Sequence, residues 1–377
     1  MGGDMSERDA AHVDRPKTST RDYDKLRAQL GVWLNERVPG STVSALIVPG
    51  TNGMSSETVL FDLSVPGEPA PRELVARIAP DPLADPVFMV YDMERQFKTM
   101  QMVAAHTDVP VPKVLWLETG TEAIGVPFFV MERVHGVVPP DLMPYTFGDN
   151  WFFDADPVDQ YRLERQAVEV LAALHELTPD GPAAFLAGPD DGRSHLRHHV
   201  DEQKAYYDWV VGDGVRSPLI ERTFEWLEEH WPQNADDAVF SWGDARVGNM
   251  MFDDFTPVAV LDWEMAAIGP REIDLGWMIY MHRTFQDLVE DLGLPGLPDV
   301  LRRQSVAAIY EAASGHTPKD LDWYTAYAAL RYAIVMFRIM RRSIRFGEAV
   351  MPENPDEAIM HQAHLRRMLD GVYWEAL

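Results

Sequence analysis

One change of hydrophobic period divides this chain of 377 residues. Up to about residue 135, apolar residues come in short, alternating or β-branched runs; from Asp154 onward they recur every three or four residues. A period of two lines one face of a strand, and a period near 3.6 lines one face of a helix. The chain therefore has to build a sheet first and a helical body second. The strand-like runs are Thr42 to Val48, Thr58 to Val65 and Glu73 to Ile78, separated by Gly, Pro and Ser clusters, and they predict an antiparallel meander. A helix is expected from about Val90 to Ala105, followed by two more strands in VPVPKVLWLE and PFFVMERVHG. An earlier helix is expected where Leu26, Leu30, Trp33 and Leu34 fall on one face, and residues 1–22, polar and aperiodic, read as a disordered tail.

Composition narrows the function classes. Hydrophobic content of 46%, with 11 Trp, supplies enough apolar surface for two packed units. The absence of cysteine excludes disulfides, thiolate metal sites and a thiol nucleophile. A formal charge of −27 repels nucleic acid and anionic membranes and would favour cationic solutes. We expect no nucleic-acid or membrane partner, cytoplasmic residence, and a monomer or homodimer.

One β-rich island interrupts the helical part. In it MMF and VAVL form a hairpin around the turn DDFTP. Asn249 immediately precedes the first strand and Asp262 follows the second, so antiparallel pairing brings them to one edge, with Asp244 on the loop leading in. An amide oxygen and a carboxylate at Asn249 and Asp262 suit a hard cation such as Mg²⁺, which takes its remaining ligands from water and phosphates. The Asp244 carboxylate is then free to receive a proton from a substrate.

Trp242-Gly243-Asp244, Asn249 five residues after that Asp, the hairpin, and Leu261-Asp262-Trp263 together resemble the aminoglycoside phosphotransferases and their protein-kinase-like relatives. The wider pattern, including MPYTFGDNWF and WEMAAIGPRE, resembles an actinobacterial branch related to the kinase-like domains of certain acyl-CoA dehydrogenases. The resemblance implies an α+β, protein-kinase-like bilobal fold, with a small β-rich N-terminal lobe carrying one helix and a larger, mainly helical C-terminal lobe. The boundaries implied are 23–130 for the nucleotide-binding lobe, 131–137 for the hinge and 138–377 for the lobe with the catalytic loop. It implies ATP and Mg²⁺ as cofactors, Asp244 as catalytic base, Asn249 and Asp262 as metal ligands, and a small-molecule hydroxyl as phosphoryl acceptor.

The nucleotide site implied in the first lobe includes the loop with Gly50, Gly53, Ser55 and Ser56, whose N–H groups and hydroxyls can cradle phosphate. Arg77 takes the place of the family's third-strand lysine, and the hinge backbone at Glu132 and Val134 faces adenine. Three positions depart from the family. Trp242 replaces a bracing histidine, Arg77 replaces lysine, and the acidic partner on the following helix falls at either Glu94 or Gln96. These departures motivate an alternative, a nucleotide-binding pseudokinase. His175 reads as a core histidine, Asp274 as a brace for the catalytic loop in the glycine-rich turn Gly269 to Gly276, and the cluster Arg338, Arg341, Arg342 and Arg345 as a solvated helix face or an anion site.

Overall fold

The computed structural model describes residues 21–49, 56–81, 85–141, 143–232 and 238–374. The expected tail, apart from Arg21 and Asp22, lies outside the described residues, as do Gly50, Gly53 and Ser55. The first lobe comprises α1 (Tyr23–Arg37), β1 (Thr42–Val43), β2 (Glu57–Ser64), β3 (Arg72–Ile78), α2 (Met93–His106), β4 (Val114–Glu118) and β5 (Phe128–Glu132). Its five strands form an antiparallel sheet in the order β1-β2-β3-β5-β4.

Local chemistry sets the element ends. The Asp22 carboxylate accepts from the Asp24 and Lys25 N–H groups at 3.0 Å and starts α1, while Asp92 accepts from the Arg95 N–H at 2.8 Å and starts α2 at Met93 rather than at Val90. The expected strand from Thr42 to Val48 is cut to two residues. The Ser44 N–H still donates to the Asp62 carbonyl at 2.9 Å, but the Asp62 N–H turns to the Ser44 hydroxyl, also at 2.9 Å, and regular pairing stops there until the Ile47 to Leu60 bridge. Helix α1 is a second helix in this lobe: Trp33 packs on Phe128 with ring centroids 4.6 Å apart and donates Nε1–H to Glu118 at 2.7 Å.

The second lobe holds α3 (Pro157–Leu174), α4 (His195–Val210), α5 (Pro218–Glu229), β6 (Ala238–Ser241), β7 (Met250–Asp253), β8 (Thr256–Val260), β9 (Ala267–Pro270), α6 (Glu272–Asp291), α7 (Arg303–Ser314), α8 (Leu321–Arg345) and α9 (Gln362–Leu369). Strands β7 and β8 form the expected hairpin, and β6 pairs antiparallel with β9. The expected glycine-rich turn is thus the end of a strand and the start of a helix. Helix α6 is buried along most of its length and packs on α8. Among the described residues no helix is long and apolar enough to cross a membrane.

The lobes are tied at several points. Arg95 on α2 donates to the Ala266 carbonyl at 2.8 Å, and the Val260 N–H donates to the Pro110 carbonyl at 2.7 Å. The arginines of α8 are not a solvated face. Arg338 and Arg345 both pair with Asp85 from the β3 to α2 connection, at 2.8 and 2.6 Å, and Arg341 pairs with Asp213. Arg338 and Arg342 are buried, because this stretch of α8 lies under that connection rather than facing water.

Close approach of α6 and α8 depends on Gly276, where an added Cβ would lie 2.7 Å from the Tyr324 carbonyl oxygen and 2.8 Å from its carbon. Gly276→Ala gains about 1 kcal/mol of helix propensity. It also overpacks a contact made by backbone, which cannot swing aside, at about 1–3 kcal/mol. The overpacking should win, lowering the calorimetric melting temperature. A variant that melts at or above the parent temperature would show that the two helices separate freely.

Candidate active site

The site is assembled on the loop between β6 and β7. Gly243 has φ of +90°, and a Cβ there would overlap the Met265 carbonyl, so only glycine fits before Asp244. Beneath the loop, the fully buried Asp274 carboxylate accepts four hydrogen bonds: from the Ser241 hydroxyl at 2.8 Å, the Trp242 N–H at 2.7 Å, the Gly243 N–H at 2.9 Å and His175 Nε2 at 3.1 Å. Burial pushes its pKa up, but these donors outweigh burial and hold the carboxyl below its ordinary value of 3.8. Asp274 is therefore the brace anticipated, and His175, which also meets the Tyr310 hydroxyl at 2.7 Å, is a core residue serving it.

Three donors orient the Asp244 carboxylate. Trp277 Nε1 lies 2.7 Å and Arg246 Nε 3.1 Å from Oδ1, while Asn249 Nδ2 lies 2.7 Å from Oδ2. The Leu261 N–H donates to the Asn249 carbonyl at 2.8 Å, and Met250 pairs with Val260, so the hairpin brings Asn249 beside Asp262. Asp262 has φ of +57°, a conformation that costs a non-glycine residue energy and is held here by its surroundings. Part of that hold is Trp242, whose indole N–H donates to the carbonyls of Leu261 at 3.0 Å and Asp262 at 3.1 Å. The tryptophan thus braces the two halves of the site against each other.

Arg77 crosses from the first lobe. On β3 it lies between Thr58 of β2 and Phe129 of β5, and its guanidinium donates to the Thr58 hydroxyl at 2.9 Å and to Asp262 Oδ1 at 3.2 Å. Neither candidate on α2 serves as its acidic partner: Glu94 pairs with Lys98 at 2.8 Å, and Gln96 is buried. Asp262 is held above its ordinary value by burial, with Arg77 pulling it down and Asp244 pushing it up. Arg246 is opposed by burial, yet Asp244 and Asp141 hold its pKa above its ordinary value, and it pairs directly with both.

The chemistry of the donors fits a divalent cation. Asp262 lacks enough positive charge around it. The Asn249 amide nitrogen is committed to Asp244, which leaves its oxygen as the atom free to ligate. In the first lobe, Ser56 is buried at the start of β2, and its hydroxyl has no partner among the described residues. Glu132 points its side chain at Lys113, 3.3 Å away, and its N–H donates to the Lys113 carbonyl at 2.9 Å, so neither is open to a ligand; Val134 joins no main-chain hydrogen bond among the described residues. Sequence reasoning missed Trp277, Arg246, Asp141 and Arg331. Only Arg246 carried a signal, as a cation two residues after Asp244 in a short loop.

A small β-rich lobe and a larger helical lobe, with carboxylates at the loop and hairpin that face the smaller one, define a protein-kinase-like phosphotransferase fold. The sequence profile of the phosphotransferase enzyme family (APH) matches residues 47–315, well over half of the chain, and the chain belongs to that family. Among solved structures, one from Ralstonia eutropha superimposes with a TM-score of 0.64 at 23% identity, covering 92% of this chain and 98% of that one. The complex of a thermostable mutant of aminoglycoside phosphotransferase APH(4)-Ia with ADP and hygromycin B gives 0.54 at 17% identity, over 91% and 98% of the chains. Mouse acyl-CoA dehydrogenase family member 10 is 26% identical over 88% of this chain. Human family member 11 is 28% identical over 49% of it. The chain spans 32% and 22% of those two relatives' lengths.

The Asp274 brace makes a signed prediction. A depressed folded-state pKa stabilises the fold above the ordinary value of 3.8, and that stabilisation is lost as pH falls through the folded value. Asp274→Asn sets an amide donor against existing donors and should cost about 3 kcal/mol at pH 7 by urea titration. The gap from the parent should narrow as pH falls below 3.8, where the carboxyl protonates first in the unfolded chain, and should close below the lower folded value. A gap that is constant with pH would contradict the assignment.

Proposed function

We propose that the protein transfers the γ-phosphoryl group of ATP, with Mg²⁺, to a hydroxyl of a small molecule. The observation that carries this reading is the carboxylate of Asp244, held by three donors beside Asn249 and Asp262. In that reaction the acceptor oxygen bonds to the γ-phosphorus, the bond from that phosphorus to the bridging oxygen breaks, ADP leaves, and the acceptor proton passes to Asp244. Bound at Asn249 and Asp262, Mg²⁺ would supply charge neutralisation for the phosphate oxygens. Arg77 and the loop ending at Ser56 hold the phosphates, and the backbone at Val134 meets the adenine. An aspartate is a weak base for an unactivated alcohol, so proton transfer comes late, once charge has developed in a loose transition state.

The acceptor is an aminoglycoside-like antibiotic or a metabolite alcohol. Hygromycin B in the APH(4)-Ia complex supports the first, and the relation to acyl-CoA dehydrogenase family members supports the second. A pseudokinase reading draws on one observation, the Arg77–Asp262 pair that already occupies a metal ligand. ATP consumption with Mg²⁺ across aminoglycosides, macrolides, choline-like amines and hydroxyacyl-CoAs separates the two readings. Acceptor-stimulated turnover establishes a kinase, and tight Mg-ATP binding without it favours the pseudokinase.

Asp244→Ala should lower turnover by about 10²–10⁴-fold while the Kd for ATP stays within about threefold, as for loss of a group that acts in the transition state. Turnover near the parent rate would remove Asp244 from the reaction. Asp262→Ala should make nucleotide binding independent of magnesium, measured by calorimetric titration with and without the metal. A magnesium effect as large as the parent's would place the metal elsewhere.

A further inference from the structure

Arg331, on α8, is 1% exposed and makes no ion pair among the described residues. Its Nε and Nη1 have no hydrogen-bond partner among the described residues, and burial depresses its pKa. A guanidinium kept in such a place is expensive for the fold, since a buried charge ordinarily needs a carboxylate against it. What it does touch is the catalytic loop. Nη2 donates to the Gly243 carbonyl at 2.9 Å, and the guanidinium carbon stands 4.4 Å from the centre of the Trp277 ring. The same indole donates its N–H to Asp244 Oδ1 at 2.7 Å.

Two lines of contact therefore run from Arg331 to one carboxylate. The first fixes the peptide. The Gly243 N–H is held from one side by Asp274 and the Gly243 carbonyl from the other by Arg331, so opposite charges clamp the residue that precedes Asp244. The second runs through the ring. A cation on an indole face draws electron density from it and makes its N–H a stronger donor. Neither line needs Arg331 to reach the acceptor or the nucleotide.

We propose that Arg331 is a positioning residue for phosphoryl transfer, aiming the Asp244 carboxylate through the Gly243 carbonyl and the Trp277 indole. The inference rests on the phosphotransferase reading, so its test includes a readout that does not. Arg331→Gln keeps an N–H donor and removes the charge; Arg331→Lys keeps the charge. In proton–nitrogen spectra of the indole groups, Trp277 is assigned among the 11 tryptophans by Trp277→Phe. Arg331→Gln should move the Trp277 signal toward its position in Asp244→Asn, and Arg331→Lys should return it part of the way.

With Mg-ATP and water as acceptor, phosphate release should fall about tenfold or more in Arg331→Gln, while the Kd for a fluorescent ATP analogue stays within about twofold; this is the scale on which losing the partner of a functional ligand is felt. Arg331→Lys should recover part of the rate. An unmoved indole signal in folded Arg331→Gln overturns the proposal, whether or not ATP is turned over. Parallel loss of nucleotide binding and turnover also overturns it, because that marks a general packing role. If the parent releases no phosphate to water and none of the acceptors above stimulates turnover, the phosphotransferase reading fails, and the indole signal still judges the link from Arg331 to Asp244. Should Arg331→Gln not fold, Trp277→Phe decides by turnover and binding: a parent-like rate sinks the idea, and a lower rate with intact binding supports it.

Discussion

The carboxylate of Asp274 is the constraint on which the site depends. It is the first acid of α6 that is completely buried, and it lies under a loop whose N–H groups would otherwise have no partners. Leaving a buried donor unpaired costs about 1–3 kcal/mol. Two main-chain N–H groups, a hydroxyl and an imidazole N–H all converge on this one group, so the loop has little freedom to take any other path. The left-handed Gly243, the direction of Asp244 and the course of β7 follow from that anchoring.

Above the brace, the functional residues form an alternating set of charges. Asp141, Asp244 and Asp262 are interleaved with Arg246 and Arg77. Two cations against three carboxylates leave the set one charge short of neutrality, and the shortage falls at Asp262, whose carboxyl is raised by burial and by Asp244. A site with this balance attracts cations and tolerates phosphate only together with one. On the proposed reading, nucleotide and metal would therefore be linked by the charge count of the residues.

The parts of the site that were legible in the sequence are those set by local spacing. Asp244 and Asn249 are five residues apart, and Asn249 and Asp262 flank a hairpin, so turn chemistry and antiparallel pairing bring them together without help from the rest of the chain. The Trp242 indole could be anticipated as a brace for the same reason. Trp277, Arg331 and Asp141 could not. Their contacts to the loop span 33, 88 and 105 residues, and no period or motif reports on a separation of that size. The arginines of α8 show the complementary failure. Their spacing on one helix face was visible, but what covers that face is decided by the β3 to α2 connection, which carries Asp85 from 253 residues away. The short β1 and the late start of α2 turned on single side chains, Ser44 and Asp92, that compete for backbone groups.

The two arginines that meet carboxylates in the site differ in how firmly they are held. Arg77 has one hydroxyl and one carboxylate, the latter at 3.2 Å, and is part-exposed at the boundary between the lobes. Arg246 pairs with Asp141 as well as Asp244 and comes from the braced loop itself. When negative charge enters the cleft from the side of the first lobe, Arg77 is the group that can exchange partners at low cost. Asp262 would then lose Arg77, its one direct cation among the described residues. On the proposed reading, the pair at the lobe boundary would be the one traded for ligand, while the two pairs on the loop keep Asp244 in place.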